Sequence, residues 1–368
     1  MTTSLSAKQK IGQMFFIGLP GETLDPVADA LIREIQPAGI CLFARNCKNP
    51  VDIRSLLDDI RERSEHPVFL GLDQEGGLVD RLRRVVEPMP SAADVSAARS
   101  LELIERFASL TARVVGLLGF NMNFAPVLDV IDEERAGNTN GALLSRAFGR
   151  SAEDVVEFAG HYSATLYANG IMPCLKHFPG IGGIEVDSHD ELPEVSLDRN
   201  DLFSKDLIPY MELLPQASAH AVMTGHTVFP RFDLQEKDPQ GRLLPTSLSP
   251  SIVTGLLREE LNFQGLALTD DLEMGAIVRH YGMAEAAKLA VKAGNDLLLI
   301  CNDPSMIYEG FNGVLRALET GEITETRLDE SVARIQAAGE YLQAPPDFDA
   351  ESLAELSREI VQLKQDIE

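Results

Sequence analysis

The sequence predicts a single-domain (β/α)8 barrel of the TIM type with a C-terminal helical extension, on the basis of three observations. Short apolar runs rich in strand-forming residues recur eight times, and helix-length segments separate most of them. The runs look apolar on both faces, which is typical of parallel strands buried beneath helices. No Gly-, Ser- or Pro-rich linker divides the chain of 368 residues. Eight strands that alternate with helices are the pattern of a (β/α)8 barrel.

The eight predicted strands are the apolar runs themselves. They cover residues 14–19, 39–44, 67–73, 121–130, 171–177, 221–226, 265–271 and 296–301. Seven amphipathic segments are predicted as helices, and most of them open with Pro, Ser or Asp, as helix N-termini prefer. These segments cover residues 26–35, 50–63, 98–118, 152–168, 250–261, 284–293 and 304–320.

The C-terminal remainder is predicted to be helical. Residues 327–342 and 351–367 carry helical patterns but are too short to form a second core. We therefore predict a barrel domain over residues 1–345 and a C-terminal helical tail over residues 346–368.

Charge and composition narrow the class of protein. The formal net charge of −25 argues against nucleic acid or an anionic membrane as a partner. No run approaches the roughly 18 apolar residues of a membrane span, and the N-terminus lacks a signal-peptide layout. Three of the four cysteines lie in or beside apolar runs, which favours buried thiols and a reducing compartment. We therefore expect a cytoplasmic protein. The cysteines are Cys41, Cys47, Cys174 and Cys301.

Six of the eight predicted strands end in polar residues, which is unusual at a strand tip. In a (β/α)8 barrel the C-terminal strand ends form the active-site face. The polar ends therefore predict one functional mouth rather than six separate turns. They are Arg45 and Asn46, residues 73–75, Asp129, Lys176 and His177, His226, and Asp270 and Asp271.

The loop after the fifth predicted strand gives the strongest signal. It carries Lys176 and His177, then Asp187 and His189, in a stretch punctuated by Gly and Pro. An Asp two residues before a His can hold the imidazole in one tautomer and keep it basic, so this pair could exchange a proton with a substrate. Two alternatives remain: a surface Asp/His pair, and a metal site formed by His177, Asp187, His189 and His226. No metal-specific spacing is present, so we predict no metal ion and no cofactor.

Two adjacent carboxylates, Asp270 and Asp271, end the seventh predicted strand. Neighbouring side chains at a strand end point to opposite sides, so only one of the two is expected to enter the mouth. We expect Asp271 to cap the following turn. Asp270 would then be the functional carboxylate, as a nucleophile, a base or a metal ligand.

Carboxylate groups at the end of the third strand, and two arginines elsewhere in the chain, suit a sugar. Asp73 is followed by two glycines within residues 73–77 and could accept hydrogen bonds from adjacent hydroxyl groups. Arg81 and Arg146 could donate to hydroxyl or carboxylate groups, although a single Arg is more often part of a surface ion pair. The chain lacks a phosphate-cradling loop and a dinucleotide fingerprint. A small neutral or mildly anionic carbohydrate is therefore the expected ligand.

Taken in order, these segments resemble glycoside hydrolase family 3, and within it the single-domain bacterial β-N-acetylglucosaminidases of cell-wall recycling. The resemblance covers nearly the whole predicted barrel and rests on residues 11–14, 42–46, 73–77, 123–130, 176–180, 187–189 and 269–272. It implies that Asp270 is the nucleophile, that His189 is the acid/base and that Asp187 is its partner. The residues that it implies for holding the terminal sugar are Asp73, Arg81, Arg146, Lys176 and His177.

The reaction implied by the resemblance retains the anomeric configuration through a covalent glycosyl-enzyme. The expected substrate is an N-acetylglucosaminyl muropeptide or a chitooligosaccharide-like sugar, and the expected assembly is a monomer or a weak homodimer. Alternatives are a phosphorylase, because a neutral His base admits an anionic nucleophile, a β-glycosidase with another sugar preference, and a catalytically silent sugar-binding barrel. Two residues depart from the family pattern and bear on loop packing and aglycone preference: Ile181 replaces a His, and Leu78 replaces an Arg.

Overall fold

A closed barrel of parallel strands forms the centre of the protein. The computed structural model describes residues 5–131, 141–183, 192–216, 218 and 220–368. Within these residues, eight parallel strands form one sheet in the order β8–β1–β2–β3–β4–β5–β6–β7, and a parallel bridge between Leu268 and Leu297 joins its two ends. The strands are β1 (Phe15–Gly18), β2 (Gly39–Cys41), β3 (Phe69–Leu72), β4 (Met122–Asn123), β5 (Met172–Phe178), β6 (Ala221–Thr224), β7 (Leu266–Thr269) and β8 (Leu298–Ile300). Each predicted run overlaps one strand, so the barrel prediction is confirmed.

Helices connect the strands, and further helices extend the chain beyond β8. The α-helices are α1 (Ala7–Gln13), α2 (Pro26–Ile35), α3 (Pro50–Arg63), α4 (Ala92–Ala97), α5 (Leu101–Leu118), α6 (Gly141–Arg146), α7 (Ala152–Ala168), α8 (Arg199–Asp201), α9 (Ile208–Leu213), α10 (Gly275–Tyr281), α11 (Met283–Ala293), α12 (Pro304–Glu319), α13 (Glu325–Gly339) and α14 (Ala350–Ile367). Leu202–Asp206 and Ser251–Glu260 are π-helical, Thr246–Leu248 is a 3₁₀ turn, and Gln74–Gly76 pairs with Val79–Asp80 in a small antiparallel ribbon. In the part of the chain described, no helix is long and apolar enough to cross a membrane.

Local capping signals explain why some helices are where the sequence predicts them. The carboxylate of Asp25 accepts a hydrogen bond from the Ala28 N–H, and Pro26 follows at the first helical position. Asn49 before Pro50 and Asp303 before Pro304 repeat this arrangement. A side-chain cap followed by Pro satisfies a free N–H and presets the backbone for a helix. The predicted helices 26–35 and 50–63 therefore coincide with α2 and α3.

Other helices differ from the prediction. The predicted helix 98–118 is α5, which begins three residues later at Leu101, because the Ser100 side chain caps it by accepting from the Leu103 N–H. The short helix α4 before it was not predicted. The predicted helix 250–261 is π-helical over Ser251–Glu260. The short helices α8, α9 and α10 were not predicted, since a segment of three to seven residues is too short to show a helical apolar period.

Aromatic rings fill the barrel interior where glycines make room for them. The rings of Phe16 and Phe124 are fully or almost fully buried and meet edge to face with centroids 5.3 Å apart. A Cβ atom at Gly39 of β2 would lie 2.3 Å from the Phe16 ring, and one at Gly71 of β3 would lie 3.0 Å from it. Gly39 therefore leaves no room for a side chain, and Gly71 leaves little, so that the interior is a packed core beneath the mouth.

The C-terminal helix packs on the barrel of the same chain. Leu353, Leu356, Ile360 and Leu363 of α14 are buried and belong to the same apolar core as the barrel. Arg113 of α5 donates two hydrogen bonds, of 2.7 and 2.8 Å, to the carboxylate of Glu359. The division of the chain at residue 345 stays a prediction.

Candidate active site

The C-terminal ends of the strands surround a cavity of about 350 Å³. Three of the predicted site residues, Asp73, Arg81 and Asp270, line it. Its wall also contains apolar side chains from β2, β6 and β8 and from the loops that follow β2, β4 and β7. The full lining is Cys41, Phe43, Asp73, Arg81, Phe124, Met223, Asp270, Asp271, Glu273, Met274, Gly275, Leu299, Cys301 and Asn302.

Lys176 of β5 lies between two carboxylates beside this cavity. Its ammonium group is 2.7 Å from Asp73 Oδ1 and 2.6 Å from Glu75 Oε1, and the side chain is 2% exposed. Arg81 donates to the other oxygen of Asp73 at 3.0 Å. Burial alone would raise the pKa of the Asp73 carboxyl, but the charges of Lys176 and Arg81 outweigh burial and hold that pKa well below its usual range. Asp73 is therefore ionised at neutral pH.

Glu75 extends this network to Arg146. The guanidinium group of Arg146 binds both carboxylate oxygens of Glu75, at 2.7 and 2.9 Å. Burial would raise the pKa of Glu75, but Lys176 and Arg146 lower it to about 2. One Arg146 nitrogen is also 3.5 Å from Nε2 of His177. The structure thus brings together the five residues predicted to hold the sugar, and adds Glu75 as the carboxylate that joins them.

Asp129, fully buried at the end of the fourth predicted run, holds His177 and the loop after β5. Its Oδ2 lies 2.8 Å from Nδ1 of His177, and its Oδ1 accepts from the backbone N–H of Ile181 at 2.8 Å. Because Asp129 contacts Ile181 through the backbone, the departure from the family pattern at this position leaves the contact intact. Asp129 was recognised as a polar strand end but was not predicted as a site residue.

Asp270 and Asp271 follow β7 directly. Asp270 lines the cavity, and its Oδ1 accepts from the N–H of Asp271 at 2.8 Å. Asp271 Oδ1 accepts from the N–H of Glu273 at 3.0 Å, so the predicted turn cap is confirmed. Asp271 also belongs to the lining of the cavity, and the expectation that only one of the two carboxylates enters the mouth stays a prediction. Burial and the nearby charges of Glu273 and Asp270 raise the pKa of Asp271 to about 7.

Glu273, in the loop after β7, holds the loop after β8 through hydrogen bonds. Its carboxylate accepts hydrogen bonds from three successive backbone N–H groups, those of Cys301 (2.7 Å), Asn302 and Asp303 (2.9 Å). The prediction missed Glu273. Its position three residues after Asp270, in an acidic strand-end segment, was the available signal.

His226 follows β6, and each of its two ring nitrogens has a hydrogen-bond partner within the protein. Nδ1 lies 2.7 Å from Ser247 Oγ, and Nε2 lies 3.0 Å from the backbone oxygen of Asp271. Among the described residues, no three His, Cys, Asp or Glu side chains are arranged to hold a metal ion. Two members of the alternative metal set, Asp187 and His189, lie outside the described residues, and so the predicted proton-transfer pair stays a prediction.

Comparisons with known proteins agree with this geometry. Residues 6–338 match the Glycosyl hydrolase family 3 N terminal domain. The chain is 31% identical to a Beta-hexosaminidase of Haemophilus influenzae over 84% of each chain. It is 30% identical to the Beta-hexosaminidase A of Pseudoalteromonas piscicida over 85% of its own length, but spans only 55% of that relative.

Solved structures show the same likeness. A glycoside hydrolase family 3 β-N-acetylglucosaminidase from a Paenibacillus species superposes with a TM-score of 0.86 at 32% identity, which covers 98% of this chain and 69% of that one. A Beta-N-acetylhexosaminidase from Beutenbergia cavernae superposes with a TM-score of 0.80 at 27% identity, which covers 92% of this chain and 99% of that one. The chain therefore belongs to glycosyl hydrolase family 3.

Proposed function

We propose that this family 3 protein is a retaining exo-β-N-acetylglucosaminidase, which releases terminal β-linked N-acetylglucosamine from small carbohydrates. One observation carries the proposal: Asp270 lines the same cavity as Asp73 and Arg81, which belong to a partly buried network of charged groups that suits hydroxyl recognition. A nucleophile therefore faces groups that suit hydroxyl recognition. The names of the relatives supply the N-acetylglucosamine preference.

Asp73 and Glu75, together with the cations that bind them, form a network that suits a terminal sugar. Its negative and positive groups are paired and held in place before substrate arrives. The cations are Lys176, Arg81 and Arg146. Lys176 and Arg81 each hold one oxygen of Asp73, so the carboxylate keeps lone pairs that can accept from sugar hydroxyl groups. Arg146 and His177 continue the same network and can serve the neighbouring hydroxyls. Charged groups that are already oriented bind a sugar without reorganisation, which favours tight recognition of one ring.

Two steps make up the proposed reaction. Asp270 attacks the anomeric carbon and forms a C1–O bond, while the bond to the leaving oxygen breaks and that oxygen takes a proton from His189. In the second step His189, oriented by Asp187, accepts a proton from water as the water oxygen attacks C1, and Asp270 leaves as a carboxylate. The roles of His189 and Asp187 rest on the family resemblance.

The biological setting is part of the same proposal. The resemblance to recycling enzymes supports a cytoplasmic protein, a monomer or weak homodimer, that acts on peptidoglycan-derived fragments. The four free cysteines are all buried, in keeping with a reducing compartment.

A mechanism-based label tests the nucleophile. A 2-fluoro glycosyl donor should label Asp270 alone after digestion and peptide mapping, and Asp270→Ala should remove both the label and the hydrolysis of an aryl β-N-acetylglucosaminide. A label on another residue would overturn the assignment. Aryl glycosides that differ only at C2 test the sugar preference, and the absence of a glycosyl phosphate at saturating phosphate would separate hydrolysis from phosphorolysis.

A further inference from the structure

His226 lies at the mouth of the barrel but has no part in the proposed reaction. It follows β6, the neighbour of the strand that carries Asp270, and it is 3% exposed. We propose that His226 is a positioning residue, which fixes the Asp270 carboxylate by holding the backbone of Asp271. The inference rests on the proposed role of Asp270 as the nucleophile.

The two contacts of the ring define its protonation state. The backbone oxygen of Asp271 can only accept, so Nε2 must carry the proton and donate to it. In the neutral ring Nδ1 is then an acceptor, and the Ser247 hydroxyl donates to it. Burial lowers the pKa of His226, which favours this neutral form. Both nitrogens are used within the protein, so the ring acts on the backbone of Asp271 and not on the substrate.

The end of β6 holds the nucleophile segment at two points. The N–H of Asp270 donates to the backbone oxygen of Thr224, the last residue of β6, at 3.0 Å. Two residues after the strand, His226 donates to the backbone oxygen of Asp271. The N–H of Asp271 lies between these two anchors. It points to Asp270 Oδ1 at 2.8 Å. The anchoring of the backbone therefore sets the direction of the carboxylate that must reach the anomeric carbon.

Ser247, which donates to the His226 ring, is itself held by hydrogen bonds to residues next to β6 and before β8. Its N–H donates to the backbone oxygen of Gly225 at 3.2 Å, and its backbone oxygen accepts from the Asn295 side chain at 2.8 Å. Asn295 in turn accepts from the Thr224 hydroxyl at 3.0 Å. Ser247, Asn295 and Thr224 are fully buried. The donor to Asp271 is thus supported by rigid neighbours, as the groups that orient a catalytic residue usually are.

Two substitutions with opposite hydrogen-bonding capacity test the proposal. His226→Leu removes the donor, whereas His226→Gln keeps an N–H near the position of Nε2. We expect His226→Leu to lower kcat by about 10²-fold with KM within about twofold of the wild-type value, since a displaced nucleophile costs about this much. His226→Gln should regain about tenfold of that loss. The rate of labelling by the 2-fluoro donor should follow kcat.

A matched control lies at the other end of β6. The ring of His220 packs against those of Tyr167 and Tyr341, with centroids 4.6 and 4.4 Å away. His220→Leu makes the same substitution far from Asp270, and it should lower the melting temperature without changing kcat. A drop in kcat that merely followed lost stability would appear in this variant as well.

Several results would overturn the inference. Wild-type kcat in folded His226→Leu would do so, and so would a His226→Gln variant no better than His226→Leu. If neither variant folds, Ser247→Ala decides, because it leaves Nδ1 without its donor. It should lower kcat several-fold at unchanged KM, and an unchanged kcat would overturn the inference. A 2-fluoro label on a residue other than Asp270 would instead overturn the proposed function, so the two failures are distinguishable.

Discussion

At the scale of single residues, the site depends on contacts between groups that are far apart in the chain. Arg146 and Glu75 are separated by 71 residues, and His177 and Asp129 by 48. Residue type and position at a strand end predicted that Asp73, Lys176 and His177 belong to the mouth. No local pattern could show that Glu75 balances Lys176 and Arg146, because that contact depends on which strands become neighbours when the barrel closes.

The charge balance of Glu75 predicts a pH-dependent loss of stability in Glu75→Gln. The pKa of Glu75 is about 2 in the folded protein and 4.5 as a free side chain, a difference worth about 3 kcal/mol of stability at pH 7. Since the folded value is the lower one, this stability is present above pH 4.5 and is lost as the pH falls toward 2. Urea unfolding should therefore show a difference from wild type of about 3 kcal/mol at pH 7 that narrows between pH 5 and pH 3.

The matched control for this prediction is Glu359→Gln. Glu359 also receives two hydrogen bonds from an Arg, but its side chain is 36% exposed, so the pair should contribute less than about 1 kcal/mol. Equal losses of stability in the two variants would show that the stability contributed by the ion pairs of Glu75 does not depend on burial.

Among the helices and strands, local sequence signals predicted the limits of some, whereas contacts between distant residues set the limits of others. Helices α2 and α3 coincide with their predictions because Asp25, Asn49 and the prolines after them act within one turn. The predicted strand 121–130 pairs as a strand only over Met122–Asn123. After it, single backbone bonds to β5 continue, such as the bridge between Val127 and Lys176, and the side chain of Asn123 binds both the N–H and the backbone oxygen of Gln74. The contact between Asn123 and Gln74 depends on a partner 49 residues away and has no local signature.

The loop after β8 is held at the mouth by an acidic side chain, which predicts the effect of Glu273→Gln. A carboxylate can accept from three N–H groups, whereas an amide has one acceptor oxygen, so the amides of residues 301–303 lose bonds. Hydrogen exchange of a peptide that covers these residues should become several-fold faster. Asp303→Asn, in the same loop, is the control, because Asn caps α12 nearly as well as Asp. Equal exchange in wild type and Glu273→Gln would contradict the assigned role.

At the scale of the whole molecule, α14 shares the apolar core of the barrel, so the chain should unfold in one step. Ile360 is fully buried in that core, and Ile360→Ala should cost about 2–5 kcal/mol and lower the melting temperature of the entire protein. Its neighbour Val361 is 41% exposed, and Val361→Ala should change stability by less than about 0.5 kcal/mol. Calorimetry distinguishes the possibilities, since a separate low-temperature transition in Ile360→Ala would mean that the tail is independent of the barrel.

The net charge of −25 predicts how the enzyme responds to salt. A strongly negative protein repels an anionic substrate at long range, and the Debye length falls from about 30 Å at 0.01 M to about 8 Å at 0.15 M ionic strength. For an anionic muropeptide-like substrate, kcat/KM should therefore rise with sodium chloride over this range, while a neutral aryl β-N-acetylglucosaminide should show little change. The neutral substrate is the control for effects of salt on the protein itself. A fall in kcat/KM for the anionic substrate would mean that the cations at the mouth, Arg81 among them, attract it more strongly than the rest of the surface repels it.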